Sequence, residues 1–149
     1  MCWKCVQQIH CSPAGATRGR HLVTARLSEA LRPDGPDGAA TDRAIIDDAG
    51  LVAAELLANA TRACRSEIVL HLTIHHRHIE IGVYDDGPGL PAPRLAHQDD
   101  SGGRGLAIVA ALSSAWGTEP VEDGKYVWSE LPLSGTSSAH LDCSRGTAA

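Results

Sequence analysis

Hydrophobic positions fall into two periods along the chain. Over residues 45–63, Ile45, Ala49, Val52, Leu56, Ala60 and Ala63 recur at intervals of three and four, which places them on one face of an amphipathic helix. Further on the period drops to two. Ile68, Leu70, Leu72 and Ile74 share one parity and Ile79, Ile81 and Val83 another, predicting two antiparallel strands joined by a turn at His75, His76, Arg77 and His78. The run from Leu106 through Leu112 predicts another, buried helix, and a ragged stripe of Leu22, Ala25 or Arg26, Leu27 and Leu31 predicts an early one over 18–31. A Pro- and Gly-rich loop over 33–38 is expected to end that early helix, with Thr41 or Asp42 capping the next. Residues 121–124 read as the tight turn of a closing hairpin. This organisation predicts an N-terminal segment, 1–17, with room for a first strand, one domain over 18–133, and a small, polar, disordered tail over 134–149.

Polar residues interrupt these patterns at three places. With successive helical side chains about 100° apart, Asn59 falls about 20° from Val52 and Glu55 about 60° from it on the same side. Both polar groups therefore sit in the apolar stripe. An unpartnered amide there costs roughly 1–3 kcal/mol and an isolated carboxylate more, so the partners come from loop backbone or from a ligand. Their i,i+4 spacing lets both reach one point. In the strand region, Asp85 continues the core-facing parity of Ile79, Ile81 and Val83, while Asp86 points the other way. Gly87 and Gly89 follow, either as an ordinary turn or as a place where backbone approaches closely beside a buried acceptor suited to a purine amino group. Third, Ser101, Gly102, Gly103, Arg104 and Gly105 lead into the helix that starts at Leu106. A glycine-rich turn at a helix N-terminus offers free N–H groups and the positive end of the helix dipole to phosphate. No Gly-x-x-x-x-Gly-Lys-Ser/Thr run is present.

Glu55 with Asn59, then Asp85, Gly87 and Gly89, then Gly103, Gly105 and Leu106 resemble, in that order, the N box and two glycine boxes of the GHKL (Bergerat-fold) ATPase superfamily, which includes gyrase B, MutL and sensor histidine kinases. Trp116 and Gly117, and the terminal stretch from Gly124 to Pro132, are similar to the anti-sigma-factor serine/threonine kinases and small actinobacterial ATP-binding relatives. The resemblance implies an α/β two-layer sandwich in which helices cover one face of a mixed, mostly antiparallel sheet. It implies ATP and Mg2+ as cofactors, with Glu55 as general base, Asn59 on the magnesium, Asp85 on the adenine amino group, and Gly87 and Gly89 in the adenine-side turn. Gly103, Arg104, Gly105 and Leu106 would border the phosphates beneath a lid over 90–102. Relatives often carry histidine where this chain has Ala63.

The composition suits such a domain. The 149 residues suffice for one core, phenylalanine is absent, and the net charge of −5 gives no support for nucleic-acid binding. No apolar run is long enough for a membrane span and no signal-peptide pattern opens the chain, so the expectation is a cytoplasmic protein without a membrane partner. Cys2, Cys5, His10 and Cys11 have a spacing zinc could tolerate, although reduced thiols near a terminus are the plainer reading. Disulfides are not expected in a cytosolic chain. His71, His75, His76 and His78 read as a solvated hairpin, only some of whose rings could share an ion.

The implied activity is serine/threonine phosphorylation of an anti-sigma-factor antagonist, with a sigma factor as the other partner and a homodimer as the form seen among relatives. A non-catalytic module responsive to ATP or ADP is the alternative. A detached histidine-kinase catalytic domain is disfavoured, because the chain has no helix pair bearing a phospho-accepting histidine.

Overall fold

The computed structural model describes residues 2–31, 36–88 and 101–133, with backbone alone at 36–41 and 101–104. The predicted lid over 90–100, Gly89 and the tail over 134–149 lie outside the described residues. Among the described residues, eight elements follow in the order β1 (Trp3–Ile9), α1 (Pro13–Ala30), α2 (Pro36–Ala63), β2 (Ile68–Ile74), β3 (His78–Asp85), α3 (Ser101–Leu112), β4 (Ala115–Val121) and β5 (Gly124–Pro132). The strands form one fully antiparallel sheet in the order β1-β2-β3-β5-β4. The helices and the sheet make the expected two-layer α/β sandwich.

The period-two pattern decides which face the helices cover. Ile68, Leu70, Leu72 and Ile74 of β2, Ile79, Ile81 and Val83 of β3, and Val127 and Leu131 of β5 are all buried. They meet Val52, Leu56, Leu57 and Ala60 of α2 in one aliphatic core. The alternate residues, His71, Thr73, Glu80 and Glu130 among them, line the opposite, open face. The β4–β5 turn falls where expected, with Val121 paired to Gly124 and Asp123 in the left-handed region at φ 63°.

All three helices start earlier than their apolar patterns suggest. Ser12 caps α1 by accepting from the Gly15 N–H at 3.0 Å, and Pro13 occupies the first turn, where a missing N–H costs nothing. Pro36 likewise opens α2, so the loop expected over 33–38 ends inside a helix, and Thr41 and Asp42 are interior rather than caps. The buried stripe of α1 is Gly15, Gly19, Val23 and Leu27, one residue per turn, rather than the Leu22-centred stripe. Two of the four are glycines because other parts of the chain lie hard against them, the His10 backbone at Gly15 and Leu57 of α2 at Gly19. A Cβ on Gly19 would lie 2.6 Å from Leu57 Cδ1. Apolar periodicity cannot register a contact made by an absent side chain.

The cysteines correct two expectations. Cys11, just before α1, and Cys64, just after α2, are joined as a disulfide with Cα atoms 6.3 Å apart. Their 53-residue separation hides from the sequence what the fold makes adjacent, and the distance is within the usual bridging range. Cys5 faces Leu72 and packs on the core, whereas Cys2 touches His75. The thiols near the N-terminus therefore do not converge on one ion.

The turn from α2 into β2 is fastened by Asp86. Its carboxylate accepts from the N–H groups of Arg65 and Ser66 at 2.7 and 3.1 Å and from Ser66 Oγ at 2.6 Å. The Ser66 hydroxyl and backbone bonds hold this carboxyl well below the usual carboxylate range. Because folding lowers its pKa, the stabilisation is complete above the unfolded pKa and fades as pH falls through the lower folded value. We expect thermal melts between about pH 2 and pH 7 to show that Asp86→Asn lowers the melting temperature at neutral pH and flattens the acid limb of the wild-type curve.

Candidate functional site

Helix α2 presents Glu55, Asn59 and Ala63 along one line, a turn apart at each step. Three other elements close on that line. Opposite Glu55 stands α3, where buried Gly105 sits so near that an added Cβ would lie 2.5 Å from Glu55 Oε2. Opposite Ala63 stands the end of β3, where a Cβ on Gly87 would collide with the Ala63 carbonyl and lie 2.8 Å from Asp85 Oδ1. Beside Asp85 runs β5, whose second residue, Lys125, pairs with Asp85 at the end of β3. The three stretches that are far apart in sequence are brought together around one side of α2.

Asp85 is the most sequestered charge in the described structure, with 0% of its surface exposed. The Gly87 N–H donates to its Oδ1 at 2.9 Å. Lys125, itself 2% exposed, places Nζ 3.1 Å from both oxygens. The ammonium donates its hydrogen bond to Oδ1, leaving Oδ2 in ion-pair contact but without an aligned donor among the described residues. Asn59 Nδ2 is also buried with no partner among them. A half-turn of that amide puts Oδ1 in the same place.

Glu55, Asn59, Asp85, Gly87 and Gly105 are gathered, and Leu106 follows Gly105 on α3. Gly103 and Arg104 belong to the first turn of α3, which begins at Ser101 rather than Leu106, so the glycine-rich turn is helical backbone. Gly89 lies outside the described residues. Lys125 is a central residue that residue-by-residue reading passed over. Its signal was available only jointly: Lys125 shares the core-facing parity of Val127, Ser129 and Leu131, and hairpin register sets it opposite Asp85.

The chemistry of these groups fits a nucleotide with a hard cation. A carboxylate and an amide oxygen are ligands magnesium accepts. Asp85 Oδ2, in ion-pair contact with Lys125 but without an aligned donor among the described residues, can accept a further hydrogen bond, and the first turn of a helix such as α3 leaves N–H groups without intrahelical partners. The two glycines keep the approaches to these groups free of side chains.

Comparison with known proteins bears on the class. The histidine kinase-like ATPase domain family matches residues 20–128, and the chain belongs to that family, a branch of the GHKL superfamily whose domains bind ATP. Among solved structures, the histidine kinase domain from the Erythrobacter litoralis EL346 blue-light activated histidine kinase is similar, at 21% identity and a TM-score of 0.48. The match covers 85% of this chain and 63% of that one, so the chain spans less than two thirds of that structure's length. No curated protein matches. No helix among the described residues is long and apolar enough to cross a membrane.

Removing one partner of a buried ion pair strands the other, at a cost of about 3–5 kcal/mol. Lys125→Met should lower the denaturant-unfolding free energy by that much, and the double variant Asp85→Asn/Lys125→Met should recover part of it. A Lys125→Met protein as stable as wild type would mean the pair is not formed.

Proposed function

We propose that this chain is an ATP-binding regulatory factor of the anti-sigma type, a serine/threonine protein kinase that uses Mg-ATP to phosphorylate an anti-sigma-factor antagonist. In its other partnership it holds a sigma factor. The observation that carries the reading is the gathering of Glu55, Asn59, Asp85, Gly87 and Gly105 on one side of α2. Support for the anti-sigma branch comes from the residues of β4 and β5, Trp116, Gly117 and the run from Gly124 to Pro132, which resemble that subgroup.

On this reading Asp85 Oδ2 accepts from the adenine amino group, while Lys125 and the Gly87 N–H hold the carboxylate in place. Asn59 is the magnesium ligand. Gly103, Arg104, Gly105 and Leu106 border the phosphates, and Gly89 belongs to the adenine-side turn. When bound, the cation spreads the charge that develops on the transferring phosphoryl group. Glu55 takes the proton from the incoming serine or threonine hydroxyl as its oxygen bonds to the γ-phosphorus and the bond to the ADP oxygen breaks. The closeness of Gly105 of α3 to the Glu55 carboxylate supports Glu55 as a base working beside the N-terminal part of that helix.

Labelled ATP incubated with the protein and its candidate antagonist should place phosphate on a serine or threonine of the antagonist. Glu55→Ala should cut transfer by about 10²–10⁴-fold while leaving ATP affinity nearly unchanged by calorimetry. Asp85→Asn should weaken ATP by roughly tenfold or more, the worth of a hydrogen bond to a charged group. Asn59→Ala should remove the magnesium dependence. Labelled partner at full yield from the Glu55→Ala protein contradicts the assigned base. Tight binding with no transfer to any partner identifies a nucleotide-responsive module instead.

A further inference from the structure

A second cluster of ligating side chains occupies the other face of the sheet, far from the nucleotide groups. His78 opens β3 and Asp85 closes it, a span of about 23 Å at strand rise. His75, His78 and Glu80 each offer one donor atom, and these three atoms lie within 4.8 Å of one another. The His75 and His78 rings are stacked with centroids 4.1 Å apart. The Cys2 sulfur lies 2.9 Å from His75 Nδ1.

The placement follows from strand register. His75 N donates to the His78 carbonyl across the top of the hairpin, next to the Ile74–Ile79 pair. Both imidazoles therefore share the open-face parity of Thr73 and Glu80, which are cross-strand partners. β1 pairs with β2 through Trp3 and Ile74, which sets Cys2 one step further, beside His75. Neighbouring carboxylate and phenol groups orient the donors. Glu130 Oε1 is 3.3 Å from His78 Nε2, and the Tyr126 hydroxyl hydrogen-bonds to Glu80. Such outer partners commonly fix the ligands of a metal site.

We propose that His75, His78 and Glu80, completed by the Cys2 thiolate, bind one divalent transition-metal ion of the zinc class on the open face of the sheet. Two imidazoles, a carboxylate and a thiolate are a four-donor set that zinc accepts in tetrahedral geometry. Tetrahedral ligands of zinc stand about 3.3–3.8 Å apart, so the His75, His78 and Glu80 donors, now within 4.8 Å of one another, close by up to about 1 Å through side-chain rotation, and the Cys2 sulfur turns onto the ion from its contact with His75 Nδ1. Nitrogen and sulfur donors discriminate against magnesium, so this site does not compete for the cation of the nucleotide. The ion would tie the start of β1 to the β2–β3 hairpin.

Untagged full-length protein is titrated with Zn2+ against a chromophoric chelator, and separately with Co2+ while visible absorption is followed. One equivalent of Zn2+ is expected. His75→Ala and His78→Ala should each weaken it at least about tenfold, and the exposed turn variant His76→Ala should leave it unchanged. Cys2→Ser should abolish the sulfur-to-cobalt charge-transfer band. Zn2+ should raise the melting temperature of wild type and His76→Ala but not of His75→Ala, a readout that also shows each variant folds. Binding that survives both histidine substitutions, or no saturation at about 100 µM metal, overturns the proposal without touching the nucleotide site.

Discussion

A carboxylate cut off from water has to be held by its surroundings, and Asp85 is such a group. It ends β3 on the side the helices cover, with Lys125 against both oxygens and the Gly87 N–H on one of them. This arrangement costs desolvation of two charges and is not the cheapest way to fill a core. It fixes an acceptor in direction at the edge of the aliphatic core, with one oxygen in ion-pair contact but lacking an aligned hydrogen-bond donor among the described residues. A packed leucine would contribute to stability but not to recognition.

The other groups are positioned relative to that charge by α2. The helix buries Val52, Leu56 and Ala60 against the sheet and carries Glu55 and Asn59 along the neighbouring line. Its own placement depends on close contacts. Gly19 of α1 admits Leu57, Gly105 of α3 admits the Glu55 carboxylate, and Gly87 after β3 admits the Ala63 carbonyl. In each case the missing side chain sets the separation between elements. Ala63, where relatives often have histidine, is the residue whose carbonyl lies against Gly87, so the chain meets β3 with backbone at that point.

Much of this was legible in the sequence because it rests on periodicity. The parities of β2 and β3, the buried face of α2, the burial of Asp85 and the outward turn of Asp86 all follow from counting residues. Helix starts were less legible, since Ser12 with Pro13, and Pro36, begin helices by capping and fixed φ rather than by apolar pattern. The Gly15 and Gly19 stripe was hidden because close packing there uses no side chain. The Lys125–Asp85 pair, the Cys11–Cys64 disulfide and the Cys2–His75 contact all join residues from separate elements. Local spacing holds no record of them until the strand order is known. Function is legible to the level of an ATP-binding family domain, while the partner resides in surfaces and chemistry that motif residues do not encode.

The central claim is that one side of α2, the end of β3 and the first residues of β5 and α3 together receive adenosine phosphates. Amide NMR of the isotope-labelled protein during titration with Mg-ATP reads this directly. Saturable shifts are expected to concentrate at Glu55, Asn59, Asp85, Gly87, Lys125 and Gly105, with the β2–β3 hairpin turn and the outer face of α1 unmoved. Saturable shifts centred on any other surface, with these six residues silent, would contradict it.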